Sequence, residues 1–221
     1  MTRGKAIRLV VYDRTDTAPL AIPRVERDAD GAAHGTGGLT RWWRIGAGLH
    51  HGVGRAAGTL GAASWDEALA WAASEAETRG ARIAELQAWG HGGWGYMAMG
   101  ATRLDAGTVG PGGALASRID ALARVLAPGA LVWLRCCSAF GNERGRSFAR
   151  TLSARLGARV AGHTYIIGVW QSGTRSLAPG EDPGWPEGEG IEPARTPHAK
   201  LSTPSEPRTL TCFRPGLPPG W

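Results

Sequence analysis

Apolar runs of strand length and stretches of helical spacing take turns along most of the chain, the pattern of a parallel sheet joined by crossover helices. Residues 6–12 (AIRLVVY) are nearly continuously apolar and stop at Asp13, Arg14, Thr15 and Asp16, as a strand buried on both faces would. Residues 19–38 are rich in Pro, Gly, Asp and Ala without a sustained period, so a long loop is expected at about 14–38. Residues 39–45 read as a second strand, followed by a glycine loop carrying His50 and His51. That histidine pair lacks a neighbouring carboxylate, cysteine or third histidine, and no metal site is expected there.

Ser64-Trp65-Asp66-Glu67 is a capping box, in which Ser64 takes the amide of Glu67 and Glu67 reaches back to the amide of Ser64. It predicts a helix with Leu69, Ala72, Ala73 and Ala76 inward and Arg79-Gly80 as its stop. Residues 81–89 then alternate as a strand, and Tyr96 to Met99 make a short strand or turn-back. Leu115, Ile119, Leu122 and Leu126 give a second helix over 114–126, leading directly into a strand that runs to Cys136. Phe148, Leu152 and Leu156 give a third helix over 143–156, closed by Gly157. A strand begins at Arg159, and residues 165–170 continue it or start its partner. After Ser172, proline and glycine dominate and allow only loop, with an edge strand at 210–213. The expected organisation is one domain over 1–172 and a Pro/Gly-rich extension, 173–221, packed on it.

With 221 residues, 43% hydrophobic and 20% charged, the chain can bury the core of one α/β domain. No apolar run approaches the roughly 18 residues of a membrane span, and neither a membrane partner nor a leader is expected. Three cysteines, two adjacent, cannot make a disulfide framework and suit a reducing cytoplasm. The net charge of +6 could suit nucleic acid, but Lys5 and Lys200 are the only lysines and the arginines are scattered. Counterion release needs cations gathered on one surface, so an Arg-rich nucleic-acid binder is the least favoured reading.

Two strand ends carry chemistry: Trp89-Gly90-His91-Gly92 and, forty-five positions after its histidine (136 − 91), Arg135-Cys136-Cys137-Ser138. A thiol attacks a carbonyl as thiolate, and an adjacent histidine can take its proton and later protonate the leaving amine. Gly92 has no side chain, so its amide can approach a developing oxyanion. Both strand ends are carboxyl ends of predicted parallel strands, where open α/β sheets carry their sites.

These residues resemble the caspase-like cysteine peptidases of clan CD, which carry His-Gly after one strand and Cys after the next. The nearest resemblance is to the bacterial CHAT peptidases and to a caspase-like domain of large bacterial surface proteins. The latter have a Cys-x-x-Ala-x-Gly pattern, a helix bearing Gly and Phe, and a Gly-Ala-x-Val strand. Cys136 to Gly141, Gly145, Phe148 and Gly157-Ala158-Arg159-Val160 match that order, and the likeness covers about residues 82–170. It implies a three-layer sandwich with a mostly parallel central sheet and a cysteine endopeptidase without cofactor or metal. It further implies His91 as acid/base, Cys136 as nucleophile, and the amides of Gly92 and Cys136 as the oxyanion hole. Shifting the alignment by one puts Cys137 in the nucleophile's place, against the Cys-Glu-Thr of the CHAT group; only one of the two can face His91 in a regular strand. The Gln-Ala-Cys-x-Gly signature of caspases proper is absent. In such a fold Trp170, Gln171 and Ser172 would line the substrate pocket, with Glu181 and Asp182 available to a basic side chain. The expected partners are a protein or peptide substrate and a regulatory protein; the rival reading is a caspase-like module that binds without cleaving.

Overall fold

The computed structural model describes residues 5–17, 24–27, 33–36, 38–193 and 196–221, the second and third of these segments by backbone alone. Much of the long loop expected at 14–38 lies outside the described residues, but within it Arg24–Arg27 and Ala33–Thr36 pair as two antiparallel strands and are not loop.

Four apolar runs pair in parallel and set the architecture. They are β1 (Lys5–Asp13), β2 (Gly58–Ala62), β3 (Ala81–Trp89) and β4 (Leu126–Arg135), joined by β5 (Arg159–His163) and the antiparallel β6 (Thr174–Leu177). The order across the sheet is β6-β5-β4-β3-β1-β2. The chain is therefore α/β with a mostly parallel six-stranded sheet. β6 comes from the expected extension and forms one edge; β2, too glycine-rich to stand out in the sequence, forms the other.

Alternation decides which layer each residue meets. Leu9 and Val11 of β1, Leu86 and Ala88 of β3, and Val132 and Leu134 of β4 enter one large core, shared with α2 (Trp65–Thr78), α3 (Ala116–Val125) and α4 (Asn142–Leu156). Ser64 caps α2 by accepting the Glu67 amide (3.2 Å), while the Glu67 carboxylate takes the amide of Ala63 (2.8 Å) instead of that of Ser64.

The opposite face is covered by α1 (Thr40–Gly52) and the C-terminal segment. A helix stands where a strand and a glycine loop were expected, because Trp43, Ala47 and His50 recur at helical spacing and pack toward Val10, Ala56 and Trp89. Its glycines obscure that period. Gly46 has a packing reason, since a Cβ there would lie 2.9 Å from the Trp89 ring. Gly48 and Gly52 have none, because nothing lies within 4 Å of either position. His50 and His51 are thus helix residues, one edge-on to Trp89 and the other bonded through Nδ1 to the Ala56 carbonyl (3.0 Å).

The C-terminal segment seals a buried polar layer on this face. Arg135 is stacked over Trp133 (4.5 Å) and donates to Gln87 Oε1, to Gln171 Oε1 (2.9 Å) and to the Cys212 carbonyl (2.6 Å). Burial lowers its pKa to about 10, which leaves it a cation at neutral pH. Beside it, the Trp133 indole N–H can only donate, so His163 Nε2 accepts (3.4 Å) and the ring is neutral. Burial, with Arg135 nearby, pulls the pKa of His163 down to about 3.

Two outcomes follow. Gly48→Ala should stabilise the fold by up to about 1 kcal/mol in chemical denaturation, by removing backbone freedom from an open helix position, and Gly46→Ala should cost about 1–3 kcal/mol by pushing Trp89. Between pH 6.5 and 3 the unfolded chain binds a proton at His163 that the folded chain refuses, so stability falls as pH falls through that window. The fall should reach about 2 kcal/mol from this residue by pH 5, and the slope should be shallower by that amount in His163→Gln.

Candidate active site

Each reactive side chain comes from a strand end. β3 and β4 pair in parallel with Trp89 opposite Arg135, and their Cα partners run Glu85–Leu131 through Trp89–Arg135 without a slip. The ladder ends there: His91 and Cys137 each follow their strand by two residues, on neighbouring strands about 4.8 Å apart. The parity agrees. His91 follows Trp89 onto the α1 face, where Trp43 meets its ring edge-on at 5.2 Å between centroids. Cys137 stands in the same relation to Arg135, whereas Cys136 follows Leu134 into the large core.

Gly92 locks the two strand ends together. A Cβ at this position would lie 2.6 Å from Cys136 Sγ and 2.8 Å from the Cys137 carbonyl, so no larger residue fits without displacing the cysteine strand.

The two thiols have different surroundings. Cys136 is 1% exposed among apolar side chains, and burial pushes its pKa well up. Cys137 is half-buried against Trp94, Ile166 and Ala199, with Sγ 3.9 Å from the Ile167 carbonyl. Burial raises its pKa as well, so at neutral pH it is a thiol that needs a base. The chain then turns sharply: Ser138 has φ 54° before α4 begins. A serine in the left-handed region is a strained turn residue, held here by its amide on the Tyr165 carbonyl (2.9 Å). That amide is occupied and is not open to an oxyanion. Two buried polar atoms in this region, Trp94 Nε1 and Ser138 Oγ, have no hydrogen-bond partner among the described residues.

A third group was not identified from the sequence. Asp16, just past β1, places Oδ2 3.0 Å from His91 Nε2 and accepts the amides of Gly38 and Leu39, each at 2.9 Å. Burial pushes its carboxyl up, but those amides and the His91 ring outweigh it and hold the pKa below the ordinary value. Asp16 is therefore an anion that fixes the proton on Nε2 and leaves Nδ1 as the basic nitrogen of His91. The available signal was positional: β1 is the parallel neighbour of β3, and acidic residues mark its carboxyl end. Asp13, the last residue of β1, is turned to local bonds, its oxygens accepting from Thr15 and Gly100.

The expected pocket residues are not gathered at this point. Trp170 is partly exposed, but Gln171 is buried on Arg135, and Ser172 is buried with its amide on Ser202 Oγ and its hydroxyl on the Thr203 carbonyl. Glu181 pairs with Arg159 (3.6 Å) and Asp182 with Arg150 (3.7 Å). Both acids line a cavity of about 900 Å³ with Arg159, Arg175 and Trp185. Arg159 opens β5, which places that cavity at the amino end of the parallel strands, away from His91 and Cys137. What packs against Cys137 is apolar: Trp94, Ile166, Ala199 and Ile191. No helix is long and apolar enough to cross a membrane among the described residues. Comparison with protein-family models, curated proteins and solved structures gives no match to this chain.

Proposed function

We propose that the chain is a caspase-like cysteine endopeptidase in which Cys137 is the nucleophile and His91, oriented by Asp16, its base. The observation that supports this reading is the Trp89–Arg135 register: His91 and Cys137 each follow that pair by two residues, the parity that favours Cys137 over Cys136 as the partner of His91. Nδ1 of His91 takes the Cys137 proton, and the thiolate attacks the peptide carbonyl carbon. The resulting oxyanion is met by the Gly92 amide. His91 then returns the proton to the departing amine, leaving a thioacyl group on Cys137, and water activated by the same nitrogen releases the acid. Asp16 stabilises the imidazolium in both steps. Cys136 takes the part of a core residue, which reverses the preference drawn from the Cys-x-x-Ala-x-Gly pattern. The apolar surroundings of Cys137, Trp94 and Ile166 among them, favour substrates with apolar side chains over basic ones. The raised thiol pKa of Cys137 also fits a second reading, a module of this fold that binds without cleaving.

Cleavage of a peptide library, followed by mass spectrometry, tests the choice. Cys137→Ala should abolish turnover while Cys136→Ala, if folded, retains it; turnover that survives Cys137→Ala overturns the assignment. Absence of turnover in the unmodified chain favours the binding module. Asp16→Asn should lower kcat/KM about 10²–10⁴-fold and shift the pH profile, and it should also lower stability modestly at pH 7, because the carboxylate with its depressed pKa stabilises the fold there.

A further inference from the structure

α1 packs one face on the sheet and leaves an apolar stripe outside. Trp42 is 57% exposed, Ile45 45%, Leu49 60% and Val53 64%, and their spacing of three, four and four residues puts all four on one side of the helix and its cap. These are half of the exposed large apolar side chains among the described residues, gathered on thirteen residues of helix and the next position. Arg41 and Arg44 are exposed on the adjoining flank, about 85° and 145° round the helix from the centre of that stripe with Gly48 and Gly52 between, and Arg55 is exposed just beyond the helix. From position 31 to 65 the sequence holds no Asp or Glu. The surface is thus apolar and cationic at once, and it has no packing role among the described residues.

We infer that this face of α1 is the docking site for an amphipathic helix of a partner protein, apolar where it meets Ile45 and Leu49 and carrying carboxylates along the flank that meets Arg41 and Arg44. Charge complementarity selects this occupant over a second copy of the chain, because self-association through this face would bring like-charged arginines together. The glycines select it over a lipid surface. Gly48 and Gly52 lie one turn apart beside Ile45 and Leu49, with open space where a Cβ would be, and so present bare backbone next to the apolar stripe. Bare backbone lets a second helix approach closely and interdigitate, in the manner of helix-in-groove recognition, and contributes nothing to insertion among acyl chains. This surface is independent of the proposed peptidase chemistry.

The test uses a display library of 16-residue helical peptides with fixed Leu and Ala on one face and flanks randomised among Glu, Lys and Gln. It is selected on the full chain and counter-selected on the Ile45→Ser/Leu49→Ser double variant, whose fold is checked by circular dichroism. Both substituted positions are exposed, so the variant should fold. Binders should be recovered with Glu dominating one flank. Their affinity should fall at least tenfold on Arg41→Glu/Arg44→Glu and on Gly48→Leu, and should hold on Arg214→Glu, an exposed arginine elsewhere. Recovery of no peptide that distinguishes the chain from the double variant overturns the inference, as does enrichment of Lys flanks. It is also overturned if the chain sediments as a dimer that the double variant dissolves. Flotation with phosphatidylglycerol vesicles that depends on the same residues, without peptide binders, assigns the face to a membrane and overturns it too.

Discussion

The in-register parallel pairing of β3 with β4 is the constraint on which the site depends. β3 leads into His91 and β4 into Cys137, each two residues past the last paired position. A slip of one residue would turn Cys136 toward the histidine face and Cys137 into the core. The slip is opposed on both sides of the sheet. On one side Leu86, Ala88, Val132 and Leu134 are buried in a continuous apolar cluster with Cys136. On the other, Trp89, Gln87 and Arg135 form a bonded layer in which a displaced guanidinium would lose the Gln171 and Cys212 oxygens. An uncompensated buried cation costs several kcal/mol, so this layer holds register more firmly than apolar packing alone.

The same register explains why the site is assembled from distant parts of the chain. β1 lies beside β3, which brings Asp16 to His91 across 75 positions of sequence. The first amides at α1 take the carboxylate from the other side, and Trp43 of that helix backs the imidazole. Orientation of the histidine is therefore a property of three elements at once. Gly92 adds the tightest restriction, since its missing side chain is the space through which the two strand ends meet.

The core strands and α2 to α4 were legible because local signals agreed with packing. Ser64 caps, Gly157 stops at φ 59°, and Leu115, Ile119 and Leu122 keep helical spacing. α1 was misread because three glycines interrupt its period, and only one of them is explained by contact within the fold. β2 and β6 were missed because edge strands carry little apolar signal. His91 and the cysteine pair are legible as residues that follow strand ends; between the thiols the motif points to Cys136, whereas parity with Trp89 and Arg135 points to Cys137. Asp16 was illegible because its role arises from the order of strands across the sheet. Glu181 and Asp182 were drawn to the site by charge alone, and the antiparallel run of β6 carries them to the other end of the sheet.

The central claim is that His91 acts on the sulfur of Cys137. The most direct measurement is the rate of alkylation of each cysteine by iodoacetamide across pH 5–9, read by peptide mass spectrometry in the native chain and in His91→Ala. Cys137 should react first, at a rate that falls at least tenfold at pH 7 without His91, while Cys136 stays unmodified until the chain unfolds. Native alkylation of Cys136 at a comparable rate, or reaction of Cys137 indifferent to His91, would contradict the account.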